Sequence, residues 1–197
     1  MRLLVVYAHP VPESFSAALF RAVVDAAEGA GHEVRARDLQ AEGFDPVLGA
    51  EERRAYNEGG PPEDPVLRSH VEDLLWAEGL VFVYPTWWMG QPAMLKGWLD
   101  RVWRPGVAFR VEGHWVQPNL TQIRLIGVVT TLGSPRWVWS FLMGAPGRKI
   151  MLRSLLACTG LRTRTFWLGL HGMDSATAAQ RERFLARVRA RIARISV

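Results

Sequence analysis

The stretch from Val81 to Trp103, VFVYPTWWMGQPAMLKGWLDRVW, decides the fold. Its first four residues, Val81 to Tyr84, are β-branched or aromatic and read as a buried strand that Pro85 interrupts. The segment Gln91 to Val102 reads as a helix, with Ala93, Met94, Gly97, Trp98 and Val102 on one face and Pro92 suited to the first turn. Between them lies the loop Pro85-Thr86-Trp87-Trp88-Met89-Gly90, at the carboxyl end of a central strand. Open α/β sheets bind ligands at that rim, where strand ends, free backbone N–H groups and helix N-termini converge. Two adjacent tryptophans offer flat surfaces to a planar ring system, and the amides of Trp87, Trp88 and Met89 offer donors to its heteroatoms. The same indoles would equally serve to close the bottom of a core.

The rest of the chain alternates in the same way. Arg2 to Ala8 is an apolar run that reads as a parallel strand buried on both faces. After His9-Pro10-Val11-Pro12-Glu13-Ser14-Phe15-Ser16 comes a helix from about Ala17 to Glu28, ended by Gly29 and Gly31. No G-x-G-x-x-G or Walker sequence is present, yet strand, loop and helix have the shape of a phosphate site. Ser14 and Ser16 supply hydroxyls, the helix supplies free amides and a favourable dipole, and His9 stands at the strand tip. Ser14 as a plain N-cap fits the spacing equally well. Further strands are expected at Glu33 to Leu39, Arg124 to Thr131 and Thr163 to Leu168. Helices are expected at Val66 to Ala77, with Val66, Val71, Leu74 and Leu75 as apolar positions, around Ile150 to Cys158, and at the C-terminus, capped by Asp174 or Ser175. His171 follows the last strand. Ala50 to Pro65 is a polar surface excursion.

The 197 residues suit one domain, 1–197, with 49% hydrophobic and 22% charged residues, ordinary globular values. No apolar run is long enough to span a bilayer, and Arg2 leads straight into a strand-like segment rather than a signal peptide, so a cytoplasmic protein without membrane insertion is expected. The single cysteine, Cys158, excludes an intramolecular disulfide and a multi-cysteine metal site, and its apolar surroundings suggest a buried, inert thiol. The net charge of +5 comes from scattered arginines; the densest group, Arg181 to Arg194, alternates with apolar residues at helical spacing and forms a solvated helix face rather than a nucleic-acid surface. No triad and no metal-ligand cluster is visible.

YPTWWMGQPAMLKGWLDRVW strongly resembles the flavin-site segment of the NAD(P)H:quinone reductases, the flavodoxin-like group that includes DT-diaphorase. The resemblance extends to A-H-P with S-F-S, the phosphate-binding opening of that family, to Asp38-Leu39 and Gly43-Phe44-Asp45-Pro46, and to Thr130-Thr131-Leu132-Gly133-Ser134, which looks like its T-T-G-G flavin loop with leucine in the first glycine position. It implies a three-layer flavodoxin-like α/β fold of about five parallel strands with helices on both faces. It also implies a flavin held by His9, Ser14, Phe15, Ser16, Pro85, Thr86, Trp87, Trp88, Met89, Thr130, Thr131 and Gly133, an acceptor pocket shaped by Trp88 and Trp137, and a homodimer. Gly106 stands where FAD-binding members carry an acidic adenine contact, which favours FMN over FAD. The tyrosine and histidine that larger relatives place beyond T-T-G-G have no counterpart, so no catalytic side chain is assigned.

The activity implied is ping-pong hydride transfer from NAD(P)H, through flavin N5, to a quinone or another flat electron acceptor, with the cofactor performing the chemistry. Two other uses of the same fold compete with it: a flavin-binding regulatory subunit of a transporter, and a flavodoxin-type electron carrier. The basic charge disfavours the carrier.

Overall fold

The computed structural model describes residues 1–60 and 62–196. Five parallel strands form one sheet in the order β2-β1-β3-β6-β7: β1 (Arg2–Tyr7), β2 (Glu33–Asp38), β3 (Gly79–Thr86), β6 (Leu125–Leu132) and β7 (Arg164–His171). Between β3 and β6 the chain inserts an antiparallel hairpin, β4 (Phe109–Glu112) and β5 (Trp115–Pro118), turning at Gly113 with φ +64°. The parallel strands thus follow the doubly wound 2-1-3-4-5 order expected of this fold, with the switch point between β1 and β3. Both of these strands are buried on both faces, as their continuous apolar sequences require.

Helices α1 (Phe15–Gly29) and α7 (Ala178–Ile192) cover one face, where Leu19, Val23, Phe184 and Val188 meet Val5, Val83 and Val129. The other face carries α3 (Pro65–Trp76) and α4 (Ala93–Val102), whose Leu67, Leu74, Leu95 and Trp98 pack on Leu4, Phe82 and Val128. The surface excursion contains α2 (Ala50–Ala55) and a short 3-10 turn, Tyr56–Glu58. In place of one helix over Ile150 to Cys158 there are α5 (Pro146–Lys149), a π-helical turn at Ile150–Ser154 and α6 (Leu156–Thr159).

Several expectations change in detail. In α3 the inward positions are Leu67, His70, Val71 and Leu74, while Val66 and Leu75 face solvent. Asp64 caps this helix through the Val66 amide, and Leu67 rather than Val66 lies against the sheet. Pro92 is the N-cap of α4 instead of a first-turn residue, Ala93 is exposed, and the buried face runs through Leu95, Trp98, Leu99 and Val102. The C-terminal helix is capped by Thr177 in a capping box with Gln180, not by Asp174 or Ser175, which belong to a separate 3-10 turn, Met173–Ser175. Cys158 is buried, and burial pushes its thiol pKa up to about 11, consistent with an inert side chain. No helix among the described residues is long and apolar enough to cross a membrane.

Gly97 determines how α4 approaches the sheet edge. A Cβ at this position would overlap the carbonyl oxygen, Cα and Cβ of Pro46, so the helix and the Phe44–Pro46 segment pack backbone to backbone. Replacing it with alanine improves helix propensity but forces this contact apart. Gly97→Ala is therefore expected to lower stability by about 1–3 kcal/mol in chemical denaturation, and unchanged or increased stability would show that the close approach is not required.

Candidate functional site

The carboxyl ends of β1, β3 and β6 open onto one cleft of about 720 Å³. From the first rim, Ser14 caps α1: its hydroxyl accepts from the Ala17 amide at 3.1 Å and lies 3.4 Å from the Tyr7 hydroxyl. The N-cap reading of Ser14 holds, and Ser14 still lines the cleft together with Phe15 and Ser16. With Ala17 capped, Phe15 and Ser16 supply the free amides of the first turn, and no acidic residue in that turn opposes an anion. His9 lines the same end; its Nδ1 accepts from the Val11 amide at 3.0 Å, which leaves the ring proton on Nε2 as a donor.

The second rim is the loop after β3. The strand continues through Thr86, and the chain then reverses within two residues: the Trp87 amide donates to the Gly90 carbonyl at 3.1 Å and the Gly90 amide to the Trp87 carbonyl at 3.0 Å. The central residues, Trp88 and Met89, have φ of +48° and +63°. Positive φ at both places is the signature of a type I′ hairpin, which normally takes asparagine and glycine; for other L-residues it costs roughly 1–2 kcal/mol each. The Trp87 amide is therefore consumed inside the turn, which corrects the expectation that it serves a ligand. Trp88 and Met89 retain the available amides. From below, Gly147 holds the turn in place: a Cβ there would stand 2.9 Å from the Met89 carbonyl oxygen.

Pro85, Thr86, Trp87 and Trp88 line the cleft, while Met89 faces a smaller adjoining hollow of about 310 Å³ with Ser134 and Met143. Trp87 is half-exposed and tilts against the His9 ring at 5.8 Å; Trp88 is fully exposed and closes no core.

The third rim brings Thr131 and Gly133 to the cleft. Thr130 does not reach it. Its side chain is completely buried and its hydroxyl lies 2.9 Å from that of Thr86, so it braces the two strand ends from behind. Leu132 remains in β6 and is buried, with no positive φ, so leucine at that place leaves the strand end regular. Trp137 is exposed and lies outside the cleft lining; its neighbour Trp139 is the buried one, stacked on Trp167. Two lining residues were not foreseen, Met173 and Asp174. The 3-10 turn that carries them follows β7, and a Cβ on Gly133 would stand 2.6 Å from the Asp174 carboxylate. The strand-end glycines around His171 were the available signal, since the residues following them continue along the same rim. Among the described residues no three His, Cys, Asp or Glu side chains are grouped to hold a metal ion.

Free amides at a helix start, two free amides on a strained turn, and a third strand end without an obstructing Cβ at Gly133 suit a ligand with an anionic tail and a flat, heteroatom-edged head. A family model of the flavodoxin-like fold matches residues 1–193. An uncharacterized NAD(P)H oxidoreductase of Haemophilus influenzae is 39% identical over 113 residues, 57% of this chain and 55% of the relative. An NAD(P)H dehydrogenase (quinone) 1 of Cavia porcellus is 32% identical over 151 residues, 68% of this chain and 54% of the relative. The matches thus span about half the length of these curated relatives. The solved structure of an NAD(P)H:quinone oxidoreductase from Methanothermobacter marburgensis aligns with a TM-score of 0.85 and 28% identity, covering 100% of this chain and 96% of its own.

Burial lowers the His9 pKa below 6.5. Because the folded value lies below the unfolded one, this group's contribution to stability is complete above pH 6.5 and declines as pH falls toward the folded value. Imidazole ¹⁵N NMR is expected to show the Nε2–H tautomer at pH 7 and a midpoint below 6.5. A midpoint at or above 6.5 would contradict the assignment.

Proposed function

Because the chain belongs to the family of the flavodoxin-like fold, we propose that it is a flavin-dependent NAD(P)H oxidoreductase whose acceptor is a quinone or a similarly flat small molecule. The observation that carries this reading is the convergence of the α1 N-terminus, the Pro85–Trp88 end of the turn after β3 and Thr131 with Gly133 on one cleft. Relatives with matching descriptions support it.

In this reading Ser14, Ser16, the Phe15 and Ser16 amides and the neutral His9 hold the phosphate end of the cofactor. The amides of Trp88 and Met89 face one edge of its ring system, and backbone groups at Thr131 and Gly133 face another, where fixed donors stabilise negative charge without reorganising. Bound there, a flavin supplies hydride acceptance from NAD(P)H and onward electron transfer to the acceptor. Trp87 and Trp88 stand at the mouth and shape the space that nucleotide and acceptor occupy in turn. Asp174 is the carboxylate nearest Gly133 in the cleft lining.

FMN is the favoured flavin. Gly106 has φ +79°, and a Cβ there would collide with the Gly60 backbone amide, so this position has no room for the acidic side chain that would contact an adenine. A homodimer in the cytoplasm completes the proposal. The exposed Trp137, Phe141, Leu142 and Met143 supply an apolar surface for a second subunit.

The test is to release and chromatograph the flavin bound to the purified protein, then mix the holoprotein with NADPH and with NADH, anaerobically and then with a quinone. The expected result is FMN, rapid bleaching by at least one nucleotide, and turnover on adding the quinone. Firm flavin binding without nucleotide oxidation would overturn the enzyme reading in favour of a regulatory subunit.

A further inference from the structure

A second pocket, of about 190 Å³, lies beside the cleft between the segment after β6, α5, β7 and α7. It is smaller than the roughly 300–1,000 Å³ typical of sites for drug-sized molecules. At its floor Trp139, only 3% exposed, stacks on Trp167 with ring centroids 5.2 Å apart, and the His171 ring tilts against Trp139 at 5.6 Å. The Nε1 atoms of Trp139 and Trp167 and Nδ1 of His171 are all buried and have no hydrogen-bond partner. An indole nitrogen can only donate. Gly169, which also lines the pocket, keeps the floor open: a Cβ there would stand 3.0 Å from Trp167 Nε1 and 3.5 Å from His171 Nε2.

Arg136, Arg148 and Arg187 reach the same pocket from three separate segments. No carboxylate lines it, and none of the three arginines is in an ion pair among the described residues. Buried donors without acceptors are rare in folded proteins, and an ordered water or an ion entering the pocket supplies the acceptor they lack. Three guanidinium groups around them set its charge, and guanidinium geometry suits a tetrahedral oxyanion.

We propose that this pocket is an oxyanion site, taking a phosphate- or sulfate-type group between the three arginines and the Trp139 and Trp167 N–H donors. The site is separate from the flavin cleft. Neither its occupancy nor its test requires a flavin or any turnover.

The group can arrive as the free ion or as the phosphate of a nucleotide. Inorganic phosphate titrated calorimetrically into the full-length protein at fixed ionic strength is expected to bind saturably at one site. Arg148→Ala, an exposed change, and Trp139→Phe, which keeps an aromatic ring but removes the N–H, are each expected to weaken it about tenfold. Arg183→Ala, which removes a helix charge outside the pocket, is expected to bind as the unmodified protein does. Absence of saturable binding, or equal weakening by all three variants, would overturn the proposal. The nucleotide arm compares the affinities for NADPH and NADH by direct binding: a preference for NADPH lost in Arg148→Ala and Trp139→Phe identifies the nucleotide's phosphate as the source. An unchanged ratio with phosphate binding lost identifies the free ion.

Discussion

Strand β3 stays paired with β6 as far as Thr86 opposite Leu132, and the rest of the site depends on that constraint. The Thr86 and Thr130 hydroxyls, 2.9 Å apart, tie the two strand ends together. Six residues separate Thr86 from Ala93, and the paired hydrogen bonds between Trp87 and Gly90 confine the reversal to Trp88 and Met89. Trp88 and Met89 accept left-handed backbone conformations for that reason, and their amides are left outside the hairpin's own bonds. Strain of this kind persists only where surrounding contacts over-determine it. Here those contacts are the double hydrogen bond between Trp87 and Gly90 and the close approach of Gly147 beneath Met89.

The same economy governs the first rim. Ser14 satisfies one helix amide with its own side chain and leaves two, and His9 is held neutral with its proton on the unbonded nitrogen. At the α1 end the cleft thus presents mostly neutral donors. Lone charges would interact more strongly but would cost more to desolvate when the cleft is filled. Its negative group, Asp174, stands against Gly133.

Much of this was legible in the residues. Continuous apolar runs at Arg2 to Ala8 and Val81 to Tyr84, rich in β-branched residues, read as doubly buried strands, and the order of strand, loop and helix placed His9, Ser14 and Ser16 at a rim. What escaped were features set by tertiary contacts. Nothing local marks Trp88 and Met89 as a type I′ turn, because neither glycine nor asparagine is there. On α4 Gly97, Trp98 and Val102 lie on the inward face as read, whereas Ala93 faces solvent and Leu95 and Leu99 complete that face. Trp137 was placed at the acceptor pocket, but Trp139, within the π-helical segment Val138–Leu142, is the buried one. Asp174 joins the site only because β7 runs parallel to β6 and ends beside it. The β4–β5 hairpin was missed although Gly113 marks its turn, because its strands are short and mostly exposed.

Amide hydrogen exchange measured with and without FMN tests the central claim most directly. The account predicts that the Trp88 and Met89 amides exchange freely in the flavin-free protein and become protected when FMN binds, while the Trp87 and Gly90 amides, already bonded to each other's carbonyls, are protected in both states. Exchange at Trp88 and Met89 that is unaffected by saturating FMN would contradict it.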